Sequence, residues 1–226
     1  MRKRSKRYRQ AVGGVDADPK PVEEAVGLVK QLASARFTES VDLAIRLNLD
    51  PRKADQALRG SFPLPHGTGK QVRVIVFTDD PDKAAASLEV GAEKAGGEDL
   101  VKEVQEGFMD FDVAIAAPRM MRHVGRLGRV LGPRGLMPTP KAGTVTDDVV
   151  TAVSEFKAGR VEYRADSAGN VHVPVGTVEF ETGQVAANVT AMLRHLRDSR
   201  PASVRGEFVL SVCLSSTMGP GIRVAV

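Results

Sequence analysis

The chain has 226 residues, of which 42% are hydrophobic and only 4% aromatic, with no tryptophan. That length forms one large domain or two small ones, packed mainly through Ala, Val and Leu. A lone cysteine, Cys213, excludes an internal disulfide and suits a reducing compartment. No apolar run reaches the roughly 20 residues that span a bilayer. The basic N-terminus has no apolar stretch behind it to make a signal peptide. A soluble cytoplasmic protein with no membrane partner is predicted.

The formal net charge of +4 is unevenly distributed. Arg2, Lys3, Arg4, Lys6, Arg7 and Arg9 place six basic groups in the first ten residues with no acid, leaving 26 basic against 28 acidic residues elsewhere. Such a segment predicts a disordered arm that meets phosphates or acidic surfaces, with a solubilising tail as the alternative.

In chain order, Val22, Val26, Val29 and Leu32 mark a first helix over 20–35. Val41, Leu43, Ile45, Leu47 and Leu49 then alternate with polar or small residues, the period of a half-buried strand. Asp50-Pro51 opens a short helical turn, and 61–70, with two prolines and two glycines, reads as a crossing between domains. Val72–Phe77 and Val113–Ala117 are continuous apolar strands of a sheet covered on both faces. Helices are predicted over 79–95, 97–105, 119–131 and 146–157, making a small parallel α/β unit. Alternation returns at 161–166 and 171–175, followed by a helix over 184–198 and a last strand from Glu207 to Ser216. Half-buried strands at both ends of the chain, with buried strands between, predict a discontinuous α+β domain. It comprises 1–66 and 160–226, an antiparallel sheet with helices, and 67–159 is inserted as an α/β domain.

The final strand is predicted to point Phe208, Leu210, Val212 and Leu214 one way and Ser211, Cys213, Ser215 and Thr217 the other. The second face is low enough for a bulky ligand to approach the backbone. Pro220-Gly221 fits the central pair of a type II turn with positive φ at the glycine, which would expose Thr217 and Met218. An ordinary strand end is the plain alternative. Arg119, Arg122, Arg126 and Arg129 are spaced to share one helical face, with no acid from Val113 to Thr146 to neutralise them. Unmixed guanidiniums suit phosphate contact, although charged faces are commonly just solvated.

Catalytic patterns fail. Gly67-Thr-Gly-Lys70 lies before a strand, and no Ser or Thr follows the lysine, so it cannot cradle phosphate at a helix start. His66, His123, His172 and His195 lack metal-ligand spacing. No enzyme, cofactor or metal site is predicted.

Several long stretches resemble one family: Lys6-Arg7-Tyr8, Phe37-Thr-Glu-Ser-Val-Asp-Leu, Arg59-Gly-Ser-Phe-Pro-Leu-Pro-His-Gly-Thr-Gly-Lys, Leu127-Gly-Arg-Val-Leu-Gly-Pro-Arg-Gly-Leu-Met-Pro, His172-Val-Pro-Val-Gly and Ser216-Thr-Met-Gly-Pro. In these the chain resembles the ribosomal protein L1 family of the large-subunit stalk. The resemblance implies two hinged domains, the second a three-layer Rossmann-like α/β insertion, located in the large ribosomal subunit. It implies binding of large-subunit rRNA to form the mobile stalk where deacylated tRNA leaves, contact with exit-site tRNA and other ribosomal components, and repression of the chain's own operon mRNA. The rRNA-binding residues it implies are Phe37, Thr38, Glu39, Arg164, Asp166, Gly169, His172, Ser211, Thr217, Met218, Gly219 and Pro220. Arg2, Lys3, Arg4, Lys6, Arg7, Arg9, Arg122, Arg126 and Arg129 are auxiliary basic contacts. Glu39 and Asp166 would accept bonds from ribose hydroxyls or hold arginines. Ser167 stands where many relatives carry a basic residue, and the chain stops soon after Arg223, so contacts from a longer tail are not expected. A general nucleic-acid chaperone acting through the arm and the arginines is the alternative.

Overall fold

A computed structural model describes residues 4–225. The elements run α1 (Lys6–Gly13), α2 (Val22–Leu32), β1 (Ser40–Leu47), β2 (Arg59–Pro63), β3 (Val74–Phe77), α3 (Pro81–Glu89), β4 (Lys94–Gly96), α4 (Glu98–Glu106) and β5 (Val113–Ala116). Then come the single turns α5 (Met121–Val124) and α6 (Gly128–Leu131), α7 (Val149–Ala158), β6 (Arg160–Arg164), β7 (Asn170–Thr177), α8 (Thr182–Asp198), β8 (Val209–Ser216) and β9 (Ile222–Val224). Among the described residues no helix is long and apolar enough to cross a membrane.

The chain divides into two compact units. Residues up to Gly69 and from Val161 onward form one, and Lys70–Arg160 form the other. The first unit holds a four-stranded sheet in the order β7-β1-β8-β9, with β1 antiparallel to both neighbours. Its strands alternate because one face is buried: Val41, Leu43, Ile45, Val171, Val173, Val212 and Leu214 share a core with Val26 and Val29 of α2 and with Val189, Met192 and Leu196 of α8. Glu181 caps α8 reciprocally with Gln184, which sets the start of that helix. A two-stranded ribbon of β2 and β6 also belongs here. It rests on α8 through Tyr163, whose hydroxyl lies 2.9 Å from His195 Nε2, and Phe62, stacked on the same imidazole at 4.4 Å. Buried Asn188 of α8 donates to the Gly67 and Val175 carbonyls and accepts from His66 N–H, which fastens residues 66–67 to this unit.

The second unit has a three-stranded parallel sheet in the order β4-β3-β5. Every residue of β3 is buried, as continuous apolar character requires. Its separate core adds Leu100, Val104, Val124, Leu127, Leu131, Val153 and Phe156.

Several expectations change. The arm is helical from Lys6, capped where the Ser5 hydroxyl accepts from Tyr8 N–H; Arg2 and Lys3 lie outside the described residues. The helix expected over 79–95 ends at Glu89, and Lys94–Gly96 becomes a short strand pairing with β3. Residues 59–63, read partly as a crossing, form β2. The helix expected over 119–131 is broken into alternating 3-10 and α turns, two of them starting at Gly125 and Gly128. Glycine weakens continuous helix, yet Met120, Val124, Leu127 and Leu131 stay buried. Arg119, Arg122, Arg126 and Arg129 are all exposed but do not share one regular helical face.

Candidate nucleic-acid interface

Helices α2 and α8 cover one face of the four-stranded sheet, and its other face carries the candidate residues. Cross-strand pairing sets them in rows. His172, Ala44, Cys213 and Arg223 lie across β7, β1, β8 and β9; Asn170, Arg46 and Ser211 form the next row; and Pro174, Asp42 and Ser215 flank the first on its other side. His172, Arg46, Ser211 and Arg223 are exposed, while Ala44 and Cys213 are half-buried and low. Small residues between charged ones leave a shallow floor that a sugar–phosphate chain can approach. Arg46 belongs to this face and was missed as a site residue, although its place opposite the apolar positions of β1 signalled it. Arg223 was missed because three-residue β9 is too short to show a period.

One end of the face is a turn closed by Gly219 N–H donating to Ser216 O at 3.2 Å. Gly221 does not have positive φ, so the expected type II turn at Pro220-Gly221 is replaced by one over 216–219. Thr217 and Met218 occupy its corners and Pro220 is buried. The Thr217 hydroxyl accepts from Ser40 N–H at 3.0 Å and reaches Ser40 O at 3.3 Å, tying the turn to the start of β1. A β-carbon on Gly219 would come within 2.5 Å of Ser216 Oγ, so this position has no room for a side chain while Ser216 holds its place.

Glu39 explains why the turn holds its shape. It is only 2% exposed, and its two carboxylate oxygens accept from Ala35 N–H at 3.0 Å and Met218 N–H at 2.9 Å. Burial opposes its ionisation, yet those N–H groups, the nearby Ser216 hydroxyl and the Arg7 charge hold its carboxyl below the usual range. The Ser216 hydroxyl itself makes no bond of regular geometry, so the two N–H donors carry most of the effect. Glu39 is therefore a brace beneath the surface, with both oxygens already occupied by protein. Thr38 donates to Glu179 Oε1 at 2.6 Å. Phe37, two residues before the brace, is 55% exposed, and Met218, bonded to it, is 49% exposed. Two large apolar side chains thus stand in water where segments 35–39 and 216–219 meet.

The opposite end holds the hairpin between β6 and β7. Asp166 accepts from Asn170 N–H and Ala168 N–H, each at 2.8 Å, and from the Asn170 amide at 3.1 Å. The Asn170 bonds foremost hold its carboxyl below the usual range, helped by Ala168 N–H and the His172 charge. Like Glu39, it braces a loop. Gly169 is buried with φ of +80°, and an added β-carbon would meet Leu47 O at 3.1 Å. Its positive φ and this close backbone approach within the protein both favour glycine at the position. Arg164 is exposed nearby.

The face is also corrected at Leu210. The register of β1 with β8 shifts between Arg46 and Leu47, and the bulge turns Leu210 out to 47% exposure while Phe208 and Val209 are both buried. Of the arm, Arg4, Lys6, Arg7 and Arg9 are exposed, with Arg4 over the Tyr8 ring at 4.9 Å. Among the described residues no cluster of His, Cys, Asp or Glu could hold a metal.

The chain is a mixed protein of helices and sheets with an open, arginine-bearing sheet face and exposed apolar side chains. Its residues 29–220 match the model of the Ribosomal protein L1p/L10e family. It is 50% identical to the large ribosomal subunit protein uL1 of Thermosipho melanesiensis over 226 residues, covering 99% of this chain and 97% of that one. Identity to the proteins of the same description from Kosmotoga olearia and Thermosipho africanus is 49% and 50%, with 99% of this chain and 96% and 97% of theirs covered. The chain belongs to the ribosomal protein L1 family, whose members are structural and non-enzymatic.

Proposed function

We propose that this chain is a component of the cytoplasmic large ribosomal subunit that binds large-subunit rRNA. Contact runs through the open face of the discontinuous unit, around Phe37, Thr38, Arg164, His172, Ser211, Thr217 and Met218, with Glu39, Asp166, Gly169, Gly219 and Pro220 holding the backbone beneath. The bound segment forms the mobile stalk at the tRNA exit site, assists release of deacylated tRNA, and shares its structure with a site in the chain's own operon mRNA, where binding represses translation. The inserted unit, a three-layer Rossmann-like α/β domain, adds exposed arginines near tRNA. The names of the relatives support placement in the subunit. The exposure of Phe37 and Met218 beside a turn held by a buried carboxylate carries the site assignment, because large apolar groups fixed in water on a polar face offer adaptable contact to sugars and bases.

Thr217→Val tests this. It keeps the side-chain shape but removes the hydroxyl, and should weaken binding of an rRNA fragment by about 1–3 kcal/mol, the cost of leaving a polar partner unsatisfied. Because the hydroxyl also bonds Ser40, thermal stability is compared alongside. Equal dissociation constants would remove the turn from the interface. The chaperone reading draws on the exposed arginines at 119–129 and the basic helix α1. It is favoured if affinity follows salt alone, with no preference for rRNA over unrelated RNA.

A further inference from the structure

Residues 199–208, which connect α8 to β8, carry charge that the reading above leaves unused. They lie at the end of the sheet away from the Thr217 turn, because β8 runs from Val209 to Ser216 and only then reaches that turn. Asn48 N–H donates to Phe208 O at 2.8 Å and Asn48 Nδ2 to Arg205 O at 3.3 Å, fixing the connection to the outgoing end of β1. Leu47 N–H bonds Gly169 O at 3.0 Å, so the hairpin near Arg164 shares this end. Between Arg194 and Phe208 the sequence holds four arginines against two acids, Asp198 and Glu207.

These arginines stand on a built backbone. Val204 N–H bonds Pro201 O, and the Val204 carbonyl accepts from both Nε and Nη2 of Arg200. That guanidinium is held in place with further N–H groups unused. Beside it an open notch of about 500 Å³ is lined by Arg197, Arg200, Gly206, Glu207, Phe208 and Val209. The Arg197 and Arg205 side chains are exposed. Leu210, exposed at the bulge, follows the lining residue Val209 in the chain and precedes Ser211, which pairs with Arg46 on the open face.

We infer that this notch is a second contact for the RNA backbone, in which Arg197 and Arg200, with Arg205 next to the lining residue Gly206, take phosphate oxygens while Leu210 packs against an adjoining sugar. Arginine suits the task because its planar fork bonds two phosphate oxygens at once. The seven residue steps of β8 separate this contact from the Thr217 turn by about 23 Å, using the rise of an extended strand. A bound RNA then follows the strand from one end to the other and is fixed in direction as well as position. The single lining acid, Glu207, opposes phosphate and tunes the affinity downward. The inference rests on the rRNA-binding reading and specifies its second end.

The test uses the full chain and a transcript of the large-subunit rRNA, titrated across a series of salt concentrations and footprinted with hydroxyl radicals. Arg197→Gln combined with Arg205→Gln changes exposed side chains only. It should lower affinity about tenfold at moderate salt and reduce the slope of log affinity against log salt by about 2. Protection should disappear from one backbone stretch and remain where Thr217→Val removes it. Glu207→Gln should raise affinity about two- to fivefold, an effect of one screened charge that a merely structural acid would not give. An unchanged slope and footprint in the arginine variant, alongside weakened binding by Thr217→Val, would overturn the notch and leave the main interface standing. Wild-type chain that does not bind the transcript would overturn both.

Discussion

In β1, buried and more exposed residues alternate from Val41 to Leu47, whereas β3 is buried at all four positions from Val74 to Phe77. The difference follows from what covers each sheet. The four-stranded sheet has α2 and α8 on one side and solvent on the other, so half its side chains are free to specify a ligand. The parallel sheet has apolar neighbours on both sides, among them Val104 and Phe156, and every β3 side chain is committed to packing. Exposed chemistry in that unit lies on helical turns and loops, where Arg119, Arg122, Arg126 and Arg129 are found. A sheet covered on one face can therefore serve as a platform, while one covered on both serves as a support.

The largest expected effects test that contrast directly. Leu43→Ala should destabilise the first unit by about 2–5 kcal/mol, while its neighbour Ala44→Ser should stay within about 0.5 kcal/mol, because only Leu43 faces the core. On β3 the neighbours should not differ in kind. Ile75→Ala should cost about 2–5 kcal/mol and Val76→Ala should also destabilise clearly, since both are fully buried. Denaturant unfolding of the four variants measures this. Equal costs at Leu43 and Ala44 would mean that the outer face of β1 is covered.

A smaller effect is expected at the brace. Glu39→Gln keeps one acceptor but points an amide N–H at a backbone N–H, and should destabilise by about 1–3 kcal/mol while loosening Met218. The sign of the pH dependence follows from the depressed carboxyl. Its stabilisation is complete above the unfolded value of about 4.3 and is lost as pH falls through the lower folded value. The advantage of wild type over Glu39→Gln should accordingly shrink on acidification, followed by thermal unfolding. A difference that stays constant with pH would show that the charge of Glu39 does not hold the turn.

The contrast between the sheets was legible because period-two and continuous apolar runs are local properties of the chain. What escaped was short, irregular or made over long distances. Lys94 and Ala95 of β4 were absorbed into a helix because three residues display no period, and Pro63, at the start of a stretch rich in proline and glycine, disguised β2. Leu210 was placed inward because alternation assumes an unbroken ladder, and the bulge opposite Arg46 and Leu47 shifts it. Residues 119–131 kept their apolar spacing, but the glycines within them broke the regular helix on which a shared arginine face depends. In the candidate site, exposed polar and apolar residues could be named from pattern and resemblance. The bracing roles of Glu39, Asp166 and Gly169 could not, because each depends on which backbone group it meets. Glu39 meets Met218 from nearly the other end of the sequence.

The smallest expected change comes from removing the covered sheet altogether. The two units have separate apolar cores, one around Leu43, Val173 and Met192 and the other around Ile75, Ile115 and Phe156. The strand that leaves the first unit and the strand that re-enters it are neighbours, with Arg59 Nε bonded to Glu162 Oε1 at 2.9 Å and Ala165 N–H to Leu58 O at 2.9 Å. Residues 69 and 161, which a short Gly-Ser linker in place of residues 70–160 would join, both belong to the first unit, so the linker closes a loop within it. Closure entropy changes slowly with loop length, about 0.6 kcal/mol per doubling, so the remainder should unfold cooperatively with stability near that of the first unit in the full chain. It keeps Phe37, His172, Thr217, Met218 and the notch at Arg197, and loses the arginines at 119–129. Specific rRNA affinity should fall only by a component that vanishes at high salt, because phosphate contacts add charge attraction without sequence information. Circular dichroism and RNA titration of this variant measure both halves of the expectation. An unfolded remainder would show that the open sheet needs the inserted unit for its stability, and a folded remainder without rRNA preference would move recognition into residues 70–160.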